Sequence, residues 1–517
     1  YDSSTYQPIF SIVAKNANEE QKAEFVKVIE DTLKGIVENG MDKKALEAGI
    51  NYHEFRYREA DFGGYPKGLM YGLQIFDSWL YDETKPFIHV EALDTFVFLK
   101  EQISTGYFEK LIQAYLLDNQ HGALVTIVPE PGRTARLDEE LKAKLQAYKE
   151  SLSREEIDKL VADTKHLQEY QEEPSSQEDL EKIPMLTRED ISREIAPIYN
   201  EEMKIAEIPT VFHEIETNGI GYLDLMFDLS DVPEKDLPMV GLLQAVLGII
   251  DTEHYEYGEL FNEINRYTGG IGTSLELYPD VTKVREKEFK ATFEIKAKAL
   301  YGQIPFAIRM MKEILTASKL DDEKRLKEIL SMTKTRLQDR FLSAGHSAAA
   351  LRAMSYKSPL SKFKDTTNGI GYYQNIREME EHFEDKKEEI INSLKALSEL
   401  IFRKGNMMIS YTATREGLAV LEEEIGSLKE ALYPERTPES RCVLHCEKKN
   451  EGFKTSSKVQ FAAKAGNFID AGEEYNGALQ ILKVIMSYEY LWINIRVKGG
   501  AYGCMSNFNR LGEGYFV

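Results

Sequence analysis

The residues best suited to chemistry lie near the C-terminus, in Leu491-Trp-Ile-Asn-Ile-Arg496-Val-Lys-Gly499-Gly500-Ala-Tyr502-Gly503. An apolar helix end delivers Arg496. Gly499-Gly500 then turns the chain, and Tyr502 follows on a stretch that reads as a strand. A permanent cation and a phenol are thereby held beside a turn of bare backbone. Such a pair can grip a peptide carbonyl or a developing oxyanion, and the glycines let a second backbone come close. The same string has a plainer reading, a helix C-cap glycine beside a surface arginine.

Other chemical signatures are missing. The histidines stand at 53, 89, 121, 166, 213, 254, 346, 382 and 445, and no two are four residues apart. Neither His-Glu-x-x-His nor its inverse His-x-x-Glu-His therefore occurs. His213-Glu214 has Thr217 where a partner would stand, and His254 is followed by Gly258. In Cys442-Val-Leu-His445-Cys446 a strand would put the cysteines on one face and the histidine on the other, a poor chelate. Gly269-Gly-Ile-Gly272 precedes a strand, the reverse of the strand-loop-helix order that cradles phosphate. No metal or other cofactor is expected inside this chain.

Bulk composition narrows the partners. The formal net charge of -23 over 517 residues excludes a nucleic-acid backbone as a natural partner. No run of about 18 apolar residues is present to span a membrane. Three cysteines point to a reducing compartment rather than a disulfide scaffold. Residue 1 is tyrosine with no signal-like segment after it, and Gly514-Tyr-Phe-Val517 reads as a strand cut in its middle. A fragment of a longer protein is expected.

The elements that must carry the Arg496–Tyr502 string are arranged in copies. Phe10–Lys15 resembles Phe293–Lys298, Asp82–Thr84 resembles Asp365–Thr367, and Gly122–Val128 resembles Gly405–Tyr411, all at one offset of 283 residues. A shared offset of that length means duplicated domains. Each copy opens with an alternating strand, as in Phe293-Glu-Ile-Lys-Ala. An amphipathic helix follows at Phe306–Leu315, then a charged helix from about 321 to 341, then a closing strand. Grouped rather than alternating elements give an α+β layer sandwich. A second echo links Glu263–Gly270 to Ile493–Gly500, each preceded by an alternating strand, Tyr222–Leu229 and Val459–Ala463. Between copies, Leu137, Leu141, Leu145, Tyr148 and Leu152 form one helical stripe, and Ser153-Arg-Glu-Glu156 is a capping box opening a second helix. Pro174-Ser-Ser176 ends this charged hairpin, either a solvated spacer or a hinge.

With those features in place, the chain resembles the pitrilysin/insulinase family of zinc metallopeptidases, in the single-chain branch of presequence proteases and falcilysin. The resemblance covers essentially the whole chain and is anchored on Leu491–Gly503. It implies tandem homologous αββα domains in a two-halved clam shell, joined by a helical hairpin. Residues 1–132 then correspond to the later part of the second domain, 133–190 to the hairpin, 191–435 to the third, non-catalytic domain, and 436–517 to the start of the fourth.

The resemblance also implies zinc, bound by an N-terminal domain outside this chain. Where the third domain could echo the zinc motif, Val240–Ile250 has neither histidine nor glutamate. Arg496 would hold a substrate carbonyl, and Tyr502 would donate to the tetrahedral oxyanion of peptide hydrolysis, with Gly499 and Gly500 beside the substrate backbone. The partners implied are unstructured peptides and the remainder of the same protein, in a bacterial cytoplasm or an organelle matrix, with the fragment inactive alone. A non-peptidase structural or binding module on the same fold is the alternative. A peptidase with zinc on a separate subunit is disfavoured, because the hairpin joins halves covalently.

Overall fold

The chain before residue 199 is helical in the computed structural model, which describes residues 1–2, 6–195, 197–436 and 441–517. Its α-helices are α1 (Lys22–Asn39), α2 (Lys43–Glu59), α3 (Lys67–Trp79), α4 (Leu93–Gln102), α5 (Tyr107–Ile112), α6 (Arg133–Ser151), α7 (Arg154–Glu172) and α8 (Gln177–Glu181). Local chemistry sets their ends. Asp42 caps α2 by accepting from Lys44 N at 2.8 Å, and Ala60, at φ 50°, turns the chain out of it. At α7 the capping box forms: Glu156 N donates to Ser153 Oγ at 3.2 Å, and Ser153 N donates to Glu156 Oε2 at 2.8 Å.

Residues 1–40 and 108–198 make one compact unit; residues 41–107 and 199–517 make another. In the first, the described residues contain helices and no strand. The alternating stretches at 10–15 and 122–128 are irregular, against the strand expectation. An alternating sequence becomes a strand only when a second edge accepts its backbone bonds, and among the described residues of this unit no strand stands beside either stretch. The Leu137–Tyr148 stripe is on one helix as expected, with its leucines left exposed.

The second unit is built on a six-stranded sheet. Its strands are β1 (Glu201–Ile205), β2 (Ile208–Glu214), β3 (Ile220–Asp228), β4 (Ile271–Pro279), β5 (Phe289–Leu300) and β6 (Met407–Ala413), in the order β1-β2-β6-β3-β5-β4. Only β2 and β6 run parallel; every other neighbour is antiparallel. The mixed sheet with grouped helices is the α+β class that the sequence implies.

Alternation sends Leu223, Leu225 and Phe227 of β3, Phe293 and Ile295 of β5, and Ile409 and Tyr411 of β6 into one core. Helices α9 (Leu237–Val246), α10 (Tyr257–Tyr267), α11 (Ile304–Thr316), α12 (Glu323–Ser343), α13 (Gly345–Ser355), α14 (Pro359–Asn368), α15 (Ile370–Glu381), α16 (Phe383–Ile401) and α17 (Arg415–Ala431) complete this part. In α11, Ile304, Ala307, Ile308, Met311, Ile314 and Leu315 are buried at helical spacing, as the sequence predicts. The fully buried Phe402 ring meets Phe227 and Phe293 edge-on, with centroids 5.1 and 5.2 Å away.

The last segment forms a small antiparallel sheet, β7 (Lys464–Asn467), β8 (Ser506–Phe508) and β9 (Glu513–Phe516), in the order β7-β9-β8. Before β8 run α18 (Ala478–Ile485) and a π-helix, Met486–Val497. The alternating Val459–Ala463 stretch is not a strand; pairing starts at Lys464, opposite Phe516. The expected boundary at 435/436 adjoins residues 437–440, which lie outside the described residues.

Candidate functional site

The helix that delivers Arg496 is wider than an α-helix at its end. Lys498 N donates to Ile493 O at 2.9 Å, five residues back. Gly500 N then donates to Arg496 O at 2.9 Å, and Ala501 N to Ile495 O at 3.1 Å. These two bonds have the nested form of a Schellman ending, each one residue longer to match the π-turn. The left-handed residue such an ending needs is Gly500, at φ 70°. A Cβ on Gly499 would lie 2.6 Å from Ile495 O. The turn itself therefore accounts for both glycines.

Arg496 is exposed and its guanidinium lies 3.8 Å from the Trp492 ring centroid. This cation–π shelf fixes the direction of a side chain that would otherwise sample many rotamers. Sequence reasoning did not single out Trp492; the aromatic–arginine pair four residues apart on a helix was the available signal.

Tyr502 is 92 % exposed. It sits in a bend, not on a strand as expected. The ladder nearby pairs Ser506 with Phe516, and Met505 exchanges backbone bonds with Val517. Burial raises the Cys504 thiol pKa, and the nearby Arg496 charge opposes that rise.

The other sequence candidates are separate from this turn. Cys442 N donates to Ser230 O at 2.7 Å, and burial pushes the Cys442 thiol up to about 11. His445 Nδ1 is 2.9 Å from Glu234 Oε2, so it faces a carboxylate rather than the cysteines. His254 Nδ1 lies 3.0 Å from both oxygens of Glu313. All three cysteines are free. Among the described residues no group of three or more His, Cys, Asp and Glu could hold a metal ion.

A polar cluster that the sequence did not suggest occupies the second face of the six-stranded sheet. Glu294, fully buried, accepts from Tyr278 Oη at 2.6 Å and Thr292 Oγ1 at 2.7 Å. Lys296 Nζ is 2.9 Å from Glu294, 3.3 Å from Glu276 and 3.6 Å from Asp224. Burial, then the Glu294 charge, raises the Asp224 carboxyl to about 7. Burial pulls the Lys296 ammonium down, but its three carboxylates outweigh that and hold it up. On the same face, Lys298 pairs with Glu59 of α2 at 2.5 Å. Phe55 of α2 packs onto Gly269, where any Cβ would overlap the ring.

Residues 127–379 match the family described as the segment associated with subfamily C of the M16 peptidases, and residues 450–517 match "PreP C-terminal domain". Together these matches cover more than half of the chain. These two segments belong to the families so described, and the chain is similar to the C-terminal part of presequence proteases. "Protein HypA" of Clostridium perfringens is 40 % identical over 517 residues, all of this chain and 53 % of that protein. "Presequence protease 1, chloroplastic/mitochondrial" of Arabidopsis thaliana is 28 % identical over 97 % of this chain and 47 % of its own length. "Presequence protease, mitochondrial" of Yarrowia lipolytica is 25 % identical over 100 % of this chain and 51 % of its own. The chain thus spans about half the length of the curated relatives it matches. No helix among the described residues is long and apolar enough to cross a membrane.

Proposed function

We propose that this chain is the substrate-gripping, non-catalytic half of a zinc-dependent metalloendopeptidase that degrades unstructured peptides in a closed chamber. The observation that carries the reading is the capped π-turn, which presents Arg496 on its Trp492 shelf and Tyr502 almost fully exposed six residues later. A surface tyrosine and arginine on a hydrogen-bonded turn are ready to donate without first being ordered. The match of residues 127–379 to the segment associated with M16 peptidases and the relatives named presequence protease support a peptide as the partner.

In this reading Arg496 donates its guanidinium N–H groups to a carbonyl of the bound peptide and holds the backbone in place. Tyr502 donates its O–H to the oxygen that becomes negative at the tetrahedral stage of hydrolysis. Zinc would be bound by the remainder of the protein and would supply Lewis-acid activation there. In this reading the donors lie in the segment assigned as the start of the fourth domain (436–517), which follows the later second domain (1–132), the hairpin (133–190) and the third domain (191–435). Alone, the chain has no turnover in this account.

Peptide cleavage by the zinc-loaded full-length gene product tests it. An Arg496→Ala, Tyr502→Ala variant should lose about 100-fold or more in kcat, the scale of a lost oxyanion donor. Wild-type turnover in the variant would refute the site. A full-length protein that never cuts would favour a binding module on the same fold.

A further inference from the structure

Glu513 is a buried acid that the proposed chemistry does not use. It is 6 % exposed and stands at the first position of β9. Burying a carboxylate is expensive unless its oxygens are satisfied. Here Ser361 Oγ donates to Glu513 Oε1 at 2.8 Å, and Asn509 Nδ2 donates to Oε2 at 2.6 Å. Ser361 is itself 2 % exposed. It belongs to the first turn of α14, where Ser358 caps the helix by accepting from Ser361 N at 3.2 Å. The positive end of that ten-residue helix favours an anion beside it.

The two partners of Glu513 belong to different parts. Asn509 opens the β8–β9 turn, where its Oδ1 accepts from Leu511 N and Glu513 N, both at 3.0 Å. Ser361 belongs to the helical layer of the six-stranded sheet. From β8 the frame runs to both site residues. Met505 N donates to Val517 O at 2.8 Å, three residues after Tyr502. Gln480 of α18 donates to Phe508 O at 2.8 Å, and Ser487 Oγ lies 3.4 Å from Ser506 Oγ, so the helix ending in Arg496 braces the same hairpin. Lys287 and Asp470 also bridge these parts at 2.9 Å, but through side chains 29 % and 44 % exposed, where an ion pair contributes little.

We propose that Glu513 is a positioning residue. By clamping the β8–β9 hairpin to Ser361 at the start of α14, it fixes where Tyr502, three residues before the ladder, points. This rests on the proposed role of Tyr502. An apolar side chain would hold the hairpin by burial without fixing its direction. The doubly bonded carboxylate fixes both, and misplacing a donor by about 1 Å is enough to lose much of its effect.

The test uses zinc-loaded full-length protein, an unstructured fluorogenic peptide and four variants: Glu513→Gln, Ser361→Ala, Tyr502→Phe and Glu513→Gln with Tyr502→Phe. Glutamine can keep the Asn509 bond through its oxygen, but it turns an amide donor toward Ser361, which reverses that bond and removes the negative charge at the start of α14. Glu513→Gln should lower kcat about tenfold with KM within about twofold, since it acts through a donor used after binding. In the Tyr502→Phe background the same change should cost less than about twofold, because there is no hydroxyl left to misplace. An equal loss in both backgrounds, or no loss in either, overturns the inference. Ser361→Ala, which removes a single oxygen, gives the same readout if Glu513→Gln does not fold. If Tyr502→Phe alone turns over like wild type, the site reading fails and this inference falls with it. If Tyr502→Phe is slow and Glu513→Gln is merely additive, only the positioning role fails.

Discussion

Asp224→Asn should stabilise the second unit at neutral pH and do little in acid. The folded carboxyl titrates at about 7, against an ordinary 3.8. Three units correspond to a ceiling of about 4 kcal/mol. The side chain is 26 % exposed and Lys296 stands nearby, so about 2 kcal/mol is the realistic size. The sign follows from proton binding. Below pH 4 both states hold the proton and the group contributes no difference. Between about 4 and 7 the unfolded chain releases it while the fold retains it, so wild-type stability falls as pH rises. Above 7 the full loss is present. Asparagine cannot ionise and escapes it, leaving Glu294, Glu276 and Lys296 as the charges of the cluster. Urea unfolding followed by tryptophan fluorescence reports on the relevant unit, since both tryptophans, Trp79 and Trp492, belong to it. The variant's advantage over wild type should grow by about 2 kcal/mol from pH 4.5 to 8. An advantage that stays flat or shrinks with pH would show that the cluster does not hold Asp224 protonated.

Other outcomes follow from packing and caps. Phe402→Ala removes the ring wedged between Phe227 and Phe293 and should destabilise the second unit by about 4 kcal/mol, read as a urea-midpoint shift. Gly499→Ala, whose Cβ would meet Ile495 O at 2.6 Å, should slow full-length turnover more than Gly500→Ala, which meets nothing within 4 Å and pays only for its positive φ, about 1 kcal/mol. The reverse order would contradict the turn geometry. Ser153→Ala should weaken the start of α7 by about 1 kcal/mol, seen as roughly fivefold faster amide exchange at Glu156.

What the sequence made legible is local. The spacing in Phe306–Leu315, the alternation in Phe293–Ala297 and the Ser153–Glu156 box each carry their own geometry within a turn or two, and each became the element expected. Strands at 10–15, 122–128 and 459–463 did not, because alternation says nothing about whether a second edge is within reach. Tyr502 sits in a bend rather than on the expected strand. Asp224, Glu294 and Lys296 hold the polar positions of alternating strands, and only the pairing of β3, β4 and β5 brings three carboxylates around one lysine. Glu513 and Ser361 are 152 residues apart, and no local pattern connects them.

The proposed role of this chain as the opposing wall of an active chamber is tested most directly by binding. A phosphinic peptide mimics the tetrahedral, negatively charged stage of hydrolysis, and an uncleavable N-methyl peptide of the same sequence mimics the ground state. With zinc-loaded full-length protein, Tyr502→Phe should weaken the phosphinic peptide about 100-fold and the N-methyl peptide less than about threefold, because a donor aimed at the oxyanion acts only where that charge exists. Equal losses for both ligands, or none for either, would contradict the assignment of Tyr502 to the oxyanion.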